Sequence, residues 1–174
     1  MSPPRRPNAA LVLGLMLAVG LFTVTQPRIA RNEGRGFDGV QYHQMAEQLR
    51  VGEPVRAEAP YEYRIGTPLA ASTVAHGLGL GTLDGFAIVN LLAAAAFLAL
   101  LYRYLRETGS SSGWASALVL IATTAWVMPV RFVLFYPALS APLFLAVLMA
   151  TLLVVERGRA SALSWRDAVV LAAL

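Results

Sequence analysis

Five apolar runs, separated by short polar or basic segments, constrain this chain more than any other feature of its sequence. A membrane-crossing helix needs about 20 apolar residues, with a range of roughly 17 to 25. Because 57% of the 174 residues are hydrophobic and 14% are charged, a water-soluble domain could not hide the excess apolar surface. The sequence therefore predicts an all-α, polytopic transmembrane protein with about four full spans and the start of a fifth. The predicted spans are residues 9–26, 85–105, 114–128, 140–156 and 165–174.

The first run follows a basic N-terminus that contains Arg5 and Arg6, and it ends before Pro27. A cleaved signal peptide has the same order of basic and apolar regions. We favour an uncleaved first helix, because no small-x-small cleavage site follows Phe22. Basic residues stay on the cytoplasmic side of a membrane, so we expect a cytoplasmic N-terminus.

The charged residues mark the ends of the apolar runs and do not cluster on one predicted face. All 14 basic residues are arginines, and the formal net charge is +4. Nucleic-acid binding would need a basic surface, so we expect no nucleic-acid partner. We place the basic segments 103–107 and 156–160 in the cytoplasm, which leaves the loop 27–82 outside.

The fifth run begins after Trp165 and covers only about a third of a membrane crossing by Leu174. A chain end at that depth would leave a terminal carboxylate in hydrocarbon, which is costly. We therefore expect residues 1–174 to be the N-terminal portion of a single membrane-embedded domain in a longer protein.

A short amphipathic helix is predicted in the outer loop, over residues 40–49. Four apolar residues recur there at helical spacing: Tyr42, Met45, Ala46 and Leu49. Asp38 with Gln41 resembles a capping-box start, and Gly52 supplies a stop. We expect this helix to lie on the outer membrane surface.

A second helix of the outer loop is predicted to open at Thr67 and Pro68 and to stop in a glycine-rich segment. It is too short to cross a membrane, and it contains His76, which would be costly at the bilayer centre. We interpret it as an interfacial or re-entrant helix. Tyr61 and Tyr63, just before it, are interpreted as aromatics of the membrane interface.

The amino-acid composition limits the kinds of metal site and thiol site that the chain can form. The chain has no cysteine, which excludes disulfides, thiolate nucleophiles and cysteine-bound metals. Its two histidines, His43 and His76, are far apart in sequence, which argues against a histidine-rich zinc site. We assign no metal-binding residue and no cofactor. Use of a divalent metal ion is kept as an alternative.

The candidate functional residues are Asp38, Tyr42, His43, Arg64 and Arg131, all in or near the outer loop. The first four of these also have a simple structural interpretation. Asp38 could serve as a helix N-cap, and Arg64 could rest its stem along the membrane interface. Tyr42 could belong only to the buried face of its helix, and His43 could be a surface residue.

These residues and their order resemble the GT-C superfamily of membrane glycosyltransferases. That superfamily includes protein O-mannosyltransferases and lipid A aminoarabinose transferases. Its first helix is followed by an outer loop with an acidic residue, then tyrosine and alanine, as in Asp38, Tyr42 and Ala46. A helix that starts with Pro-Leu follows, as at Pro68 here, and then a span that ends in tyrosine and arginine, as at 102–106.

The resemblance implies a glycosyltransferase that moves a sugar from a polyprenyl-phosphate donor to an unknown acceptor. The reaction would take place on the outer face of the bacterial inner membrane. Asp38 is implied to be catalytic, while Arg64 and Arg131 would face the donor phosphate. Tyr42 and His43 are the further substrate-binding candidates. We expect residues 1–174 alone to bind membrane lipid without sugar transfer. Relatives often have an acidic residue before the fourth helix, and residues 140–143 have none.

The alternative is a non-enzymatic polytopic membrane protein, such as a transporter half or an assembly subunit. Transporters concentrate polar groups near mid-membrane, often in broken helices. Here the polar residues gather in the outer loop, which favours surface chemistry, while Pro129 and Pro137 keep the alternative open. Further apolar spans followed by a soluble outer domain would favour the transferase, and an inverted repeat would favour the transporter.

Overall fold

The computed structural model describes residues 31–124 and 140–160, together with Gly14, Leu17 and Ala138. Within these residues the regular secondary structure is entirely helical, as the sequence predicts, with five α-helices and no strand. The helices are α1 Gly39–Arg50, α2 Gly66–Leu78, α3 Thr82–Glu107, α4 Ser112–Thr124 and α5 Ala141–Ala160. A short 3-10 turn precedes α1 at Arg31–Gly34, and another precedes α2 at Tyr61–Arg64.

Two of the described helices are long and apolar enough to cross a membrane. They are Thr82–Glu107, with 26 residues, and Ala141–Arg159, with 19 residues. At 1.5 Å per residue, 19 residues extend about 28 Å, close to the roughly 30 Å of a hydrocarbon core. These helices match the predicted spans 85–105 and 140–156, and both are longer than predicted.

The prediction of about four spans is not confirmed by the described residues. The predicted span 114–128 is described as a helix only through Thr124, and its apolar part, Ser112–Thr123, is shorter than a membrane crossing. The predicted span 9–26 lies outside the described residues apart from Gly14 and Leu17. The predicted start of a fifth span at 165–174 also lies outside them.

The outward faces of the long helices are apolar. Half of the most apolar stretch of α3 is buried, and only 28% of that of α5. Large apolar side chains on these faces are exposed, among them Leu92, Phe144 and Leu148. Contiguous exposed apolar surface of this kind marks a face that contacts lipid or a partner rather than water.

Helix α3 is the centre of the fold, because it contacts each of the other four described helices. Its first half packs with α1 and α2 around Tyr42 and Phe86, and its second half packs with α4 and α5 around Phe97 and Val119. A Cβ added at Gly85 would overlap the carbonyl oxygen of Ala71. Glycine at this position therefore lets α2 and α3 approach closely.

The predicted ends of the outer-loop helices are largely confirmed. Helix α1 ends at Arg50, and the predicted stop residue Gly52 follows two positions later with a φ of +75°, which favours glycine. The backbone N–H of Glu53 donates to the carbonyl oxygen of Gln48 at 2.9 Å, which satisfies a helix-terminal acceptor. Helix α2 starts at Gly66, one residue before the predicted Thr67, and it is too short to span, as predicted.

Helices α3 and α5 run parallel to each other. Near their starts, Phe86 shares a core cluster with Ala138, which lies just before α5. At their ends, the guanidinium of Arg157 donates to both carboxylate oxygens of Glu107, at 2.8 and 3.0 Å. The two basic segments that were predicted to share one side of the membrane therefore lie at the same end of the fold.

Candidate functional site

The Asp38 side chain contacts a distant part of the loop and does not cap α1. The backbone at Asp38 is already helical, with φ −70° and ψ −19°, and its carboxylate makes no capping hydrogen bond. N-cap residues are usually extended, which is what aligns their side chains with the first-turn amides. The capping-box prediction is therefore wrong. Instead, Oδ1 of Asp38 accepts a hydrogen bond from the Tyr61 hydroxyl at 3.2 Å.

Tyr42 combines a buried ring with a hydrogen-bonded hydroxyl. Its side chain is 2% exposed and packs in the predicted apolar stripe with Met45 and Ala46. The hydroxyl oxygen accepts a hydrogen bond from Nη1 of Arg64 at 3.1 Å. The ring packs edge-to-face on Tyr61, with centroids 5.6 Å apart and an interplanar angle of 80°. Tyr42 is therefore both a core residue and a site residue.

Asp38, Tyr42, Tyr61 and Arg64 together form what we call the Asp38 cluster. The 3-10 turn Tyr61–Arg64 supplies two of its members, because residues three apart lie on the same side of such a turn. The fixed ring of Tyr42 then connects this turn to α1. The structure thus brings together three of the predicted site residues and adds Tyr61, which the sequence interpretation had assigned to the membrane interface.

The electrostatics of the Asp38 cluster follow its hydrogen bonds. The hydrogen bond to Asp38, and then the charge of that carboxylate, raise the pKa of Tyr61 above its ordinary value of 10.0. The hydrogen bond to Tyr42 raises the pKa of Arg64, so this guanidinium remains cationic. The Tyr61 phenol therefore stays protonated at neutral pH and acts as a donor to Asp38.

An open groove of about 560 Å³ lies beside Arg64, between the start of α2 and the start of α5. Its lining is both polar and apolar. Arg64, Thr67 and Ser140 provide polar groups. The first turns of α5 provide apolar groups, and these are Leu143, Phe144 and Val147. Such a groove suits a ligand with an anionic head and an apolar tail.

His43 belongs to a separate group of polar residues. Its side chain is 16% exposed, and Nε2 lies 3.9 Å from Oε1 of Glu47, which also accepts a hydrogen bond from the Thr82 hydroxyl. Burial lowers the pKa of His43 below 6.5, and the charge of Arg35 lowers it further, against the opposing charge of Glu47. We call His43, Glu47 and Thr82 the Glu47 group, and it joins α1 to the start of α3. A substrate-binding role for His43 remains a prediction.

Two further sequence predictions concern Arg131 and a metal. Arg131 lies outside the described residues. Across 31–124 and 140–160, no group of three or more histidine, aspartate or glutamate side chains is arranged to hold a metal ion.

Comparisons with protein-family profiles, with curated proteins and with solved structures gave no match to this chain. Inference about the site therefore starts from the geometry of the Asp38 cluster and its groove.

Proposed function

We propose that this protein is an integral membrane glycosyltransferase of the GT-C type. It would transfer a sugar from a polyprenyl-phosphate donor to an acceptor hydroxyl on the outer face of the bacterial plasma membrane. The exposed apolar faces of α3 and α5 support membrane integration, since such surface is rarely left facing water.

One observation carries the proposal: a guanidinium lines an amphipathic groove, and two packed tyrosines connect it to a carboxylate. Arg64 lines the groove, and Asp38 is connected to Arg64 through Tyr61 and Tyr42. A guanidinium binds two phosphate oxygens at once, and apolar helix surface accommodates an isoprenoid tail. The groove thus matches both ends of a lipid-linked sugar donor.

The reaction can be written with these groups. The acceptor hydroxyl oxygen attacks C1 of the sugar, and its proton passes to the Asp38 carboxylate. The new bond joins that oxygen to C1, while the bond between C1 and the phosphate oxygen breaks. The electron pair of the broken bond stays on the departing polyprenyl phosphate, where Arg64 neutralises the charge.

Asp38→Asn tests the proposed role of Asp38. Because the carboxylate does not cap α1, the amide replacement should leave the helix intact. Asparagine cannot accept the proton, so turnover should fall by roughly 10²–10⁴. The assay would measure radiolabelled sugar transfer from a panel of polyprenyl-phosphate sugars, with the full-length protein in nanodiscs.

Glu58→Gln is the matched control, because Glu58 is an exposed carboxylate of the same loop. It should retain wild-type turnover and the same yield in membranes. An Asp38→Asn protein with full transferase activity would contradict the catalytic assignment. Absence of transfer by the full-length wild-type protein from every donor would contradict the proposed function itself.

Asn90 favours the non-enzymatic alternative, because it is a fully buried polar residue within the long helix α3. Transporters place polar groups within their spanning helices to bind their substrates. In that case a lipid-linked donor would bind and be recovered with its sugar still attached. Thin-layer chromatography of the donor after incubation separates the two functions.

A further inference from the structure

Asp38 and Arg64 carry opposite charges in one cluster, yet they do not form an ion pair. Among the described residues, each makes a single side-chain hydrogen bond, and in both cases the partner is a tyrosine. Arginine has five N–H donors in a fork that matches a carboxylate, so direct pairing of the two groups would be the ordinary outcome. Something in the cluster holds them apart.

The two tyrosines are the groups that connect them. Tyr42 is immobilised by the core of α1, α2 and α3, so its hydroxyl is a fixed point for Arg64. Tyr61 packs with its ring edge-to-face on Tyr42 and holds Asp38 on its other side. Aromatic side chains have only two side-chain torsions, so two packed rings make a stiff spacer.

We propose that Tyr61 and Tyr42 are positioning residues that keep Asp38 and Arg64 from pairing, so that both charges remain available to one ligand. The identity of that ligand as a lipid-linked sugar rests on the proposed function, but the spacing does not. A carboxylate and a guanidinium that paired with each other would each lose the polar surface that a hydroxyl or a phosphate must reach. The spacer therefore preserves two opposite charges side by side.

The test uses the reaction of Arg64 with phenylglyoxal, quantified by mass spectrometry of the Arg64 peptide from the intact protein in micelles. Tyr61→Phe removes one hydroxyl and keeps the ring. Release of Asp38 should let it pair with Arg64, and the modification rate should fall by a factor of roughly 1.5 to 5, the range that an exposed ion pair contributes. Tyr42→Phe should have the same effect, because it releases Arg64 instead.

A double variant separates spacing from a general loss of structure. Asp38→Asn combined with Tyr61→Phe removes the partner with which Arg64 would pair, so the Arg64 rate should return to that of Asp38→Asn alone. Exposed Arg56 serves as the internal reference, and Tyr104→Phe, on α3 outside the cluster, is the control substitution. The Arg56 rate should stay the same in every variant, and Tyr104→Phe should leave the Arg64 rate unchanged.

Two outcomes would overturn the spacer. One is an Arg64 rate that Tyr61→Phe and Tyr42→Phe leave unchanged. The other is a fall that persists in the double variant, which would mean that the hydroxyl supports the local fold and not the separation of charges. Neither readout needs sugar transfer. An inactive wild-type protein would therefore contradict the proposed function and leave this test standing.

Discussion

Oppositely charged side chains pair with each other at one end of the helix bundle and are held apart at the other end. At the end where α3 and α5 finish, Glu107 accepts hydrogen bonds from Arg157 at 2.8 and 3.0 Å and from Arg103 at 2.9 Å. At the other end, Asp38 and Arg64 are separated by two tyrosines. Charges that satisfy each other hold elements together, whereas charges that are kept apart retain the capacity to bind something else.

The exposure of the charged side chains also differs between these two ends. The Glu107 side chain is 27% exposed and lies between two helices that it joins. Arg64 is exposed and lines an open groove. A paired charge gains from being partly removed from water, because screening is weaker there, while a ligand-binding charge must remain accessible. The comparison therefore distinguishes a structural end of the molecule from a binding end.

The largest expected effect concerns the side of the membrane on which each end lies. The chain has no cysteine, so single cysteines can be introduced at exposed positions of each end, as Glu58→Cys and Ser112→Cys. An impermeant thiol reagent applied to intact cells should label position 58 and should reach position 112 only after permeabilisation. Labelling in the opposite order would place the paired charges outside and would invert the assignment of the two ends.

A smaller effect is expected when the ion pairs of Glu107 are removed. Glu107→Gln removes the charge that Arg157 and Arg103 share, and its cost should be about 1 kcal/mol in the free energy of unfolding, since the pairs are partly exposed. Asp38→Asn should cost close to nothing, because its only described side-chain bond is to an exposed tyrosine hydroxyl. Denaturant titration in micelles, followed by helical circular dichroism, would compare them. Equal losses of unfolding free energy in the two variants would contradict the distinction between a structural end and a binding end.

The smallest effect concerns the Glu47 group. Burial lowers the pKa of His43, so its neutral form stabilises the folded state, fully above pH 6.5 and progressively less as the pH falls below 6.5. The melting temperature should therefore decline between pH 7.5 and pH 5.5, and it should decline less steeply in His43→Gln. His76→Gln, which alters an exposed histidine, is the control. An identical decline in His43→Gln and wild type would contradict this role.

The helices were predictable because their signals are local and repeated. Tyr42, Met45 and Ala46 recur at helical spacing, and this spacing alone identified the buried face of α1. The long apolar runs identified α3 and α5 in the same way. Helix ends were less certain, since the start of α2 depends on one residue of turn geometry at Gly66.

The Asp38 cluster was only half predictable. Asp38 and Tyr61 are 23 positions apart, and their contact depends on the path of an irregular loop that no periodic pattern encodes. The separation of Tyr42 and His43 could have been anticipated. Successive residues of an α-helix point about 100° apart, so neighbours in sequence rarely reach the same ligand. That geometry places His43 on a different face of α1 from Tyr42.

The length of the groove beside Arg64 limits which parts of a ligand the groove can select. Its described lining follows α5 from Ser140 to Val147, which corresponds to about 10 Å along a helix. The groove lining includes Phe144, which is 66% exposed, and the exposed Leu148 is one turn further along α5. For the proposed lipid-linked donor, a tail longer than the groove would continue along that apolar surface. We therefore expect selectivity for the head group and the first segment of the tail, and none for total tail length.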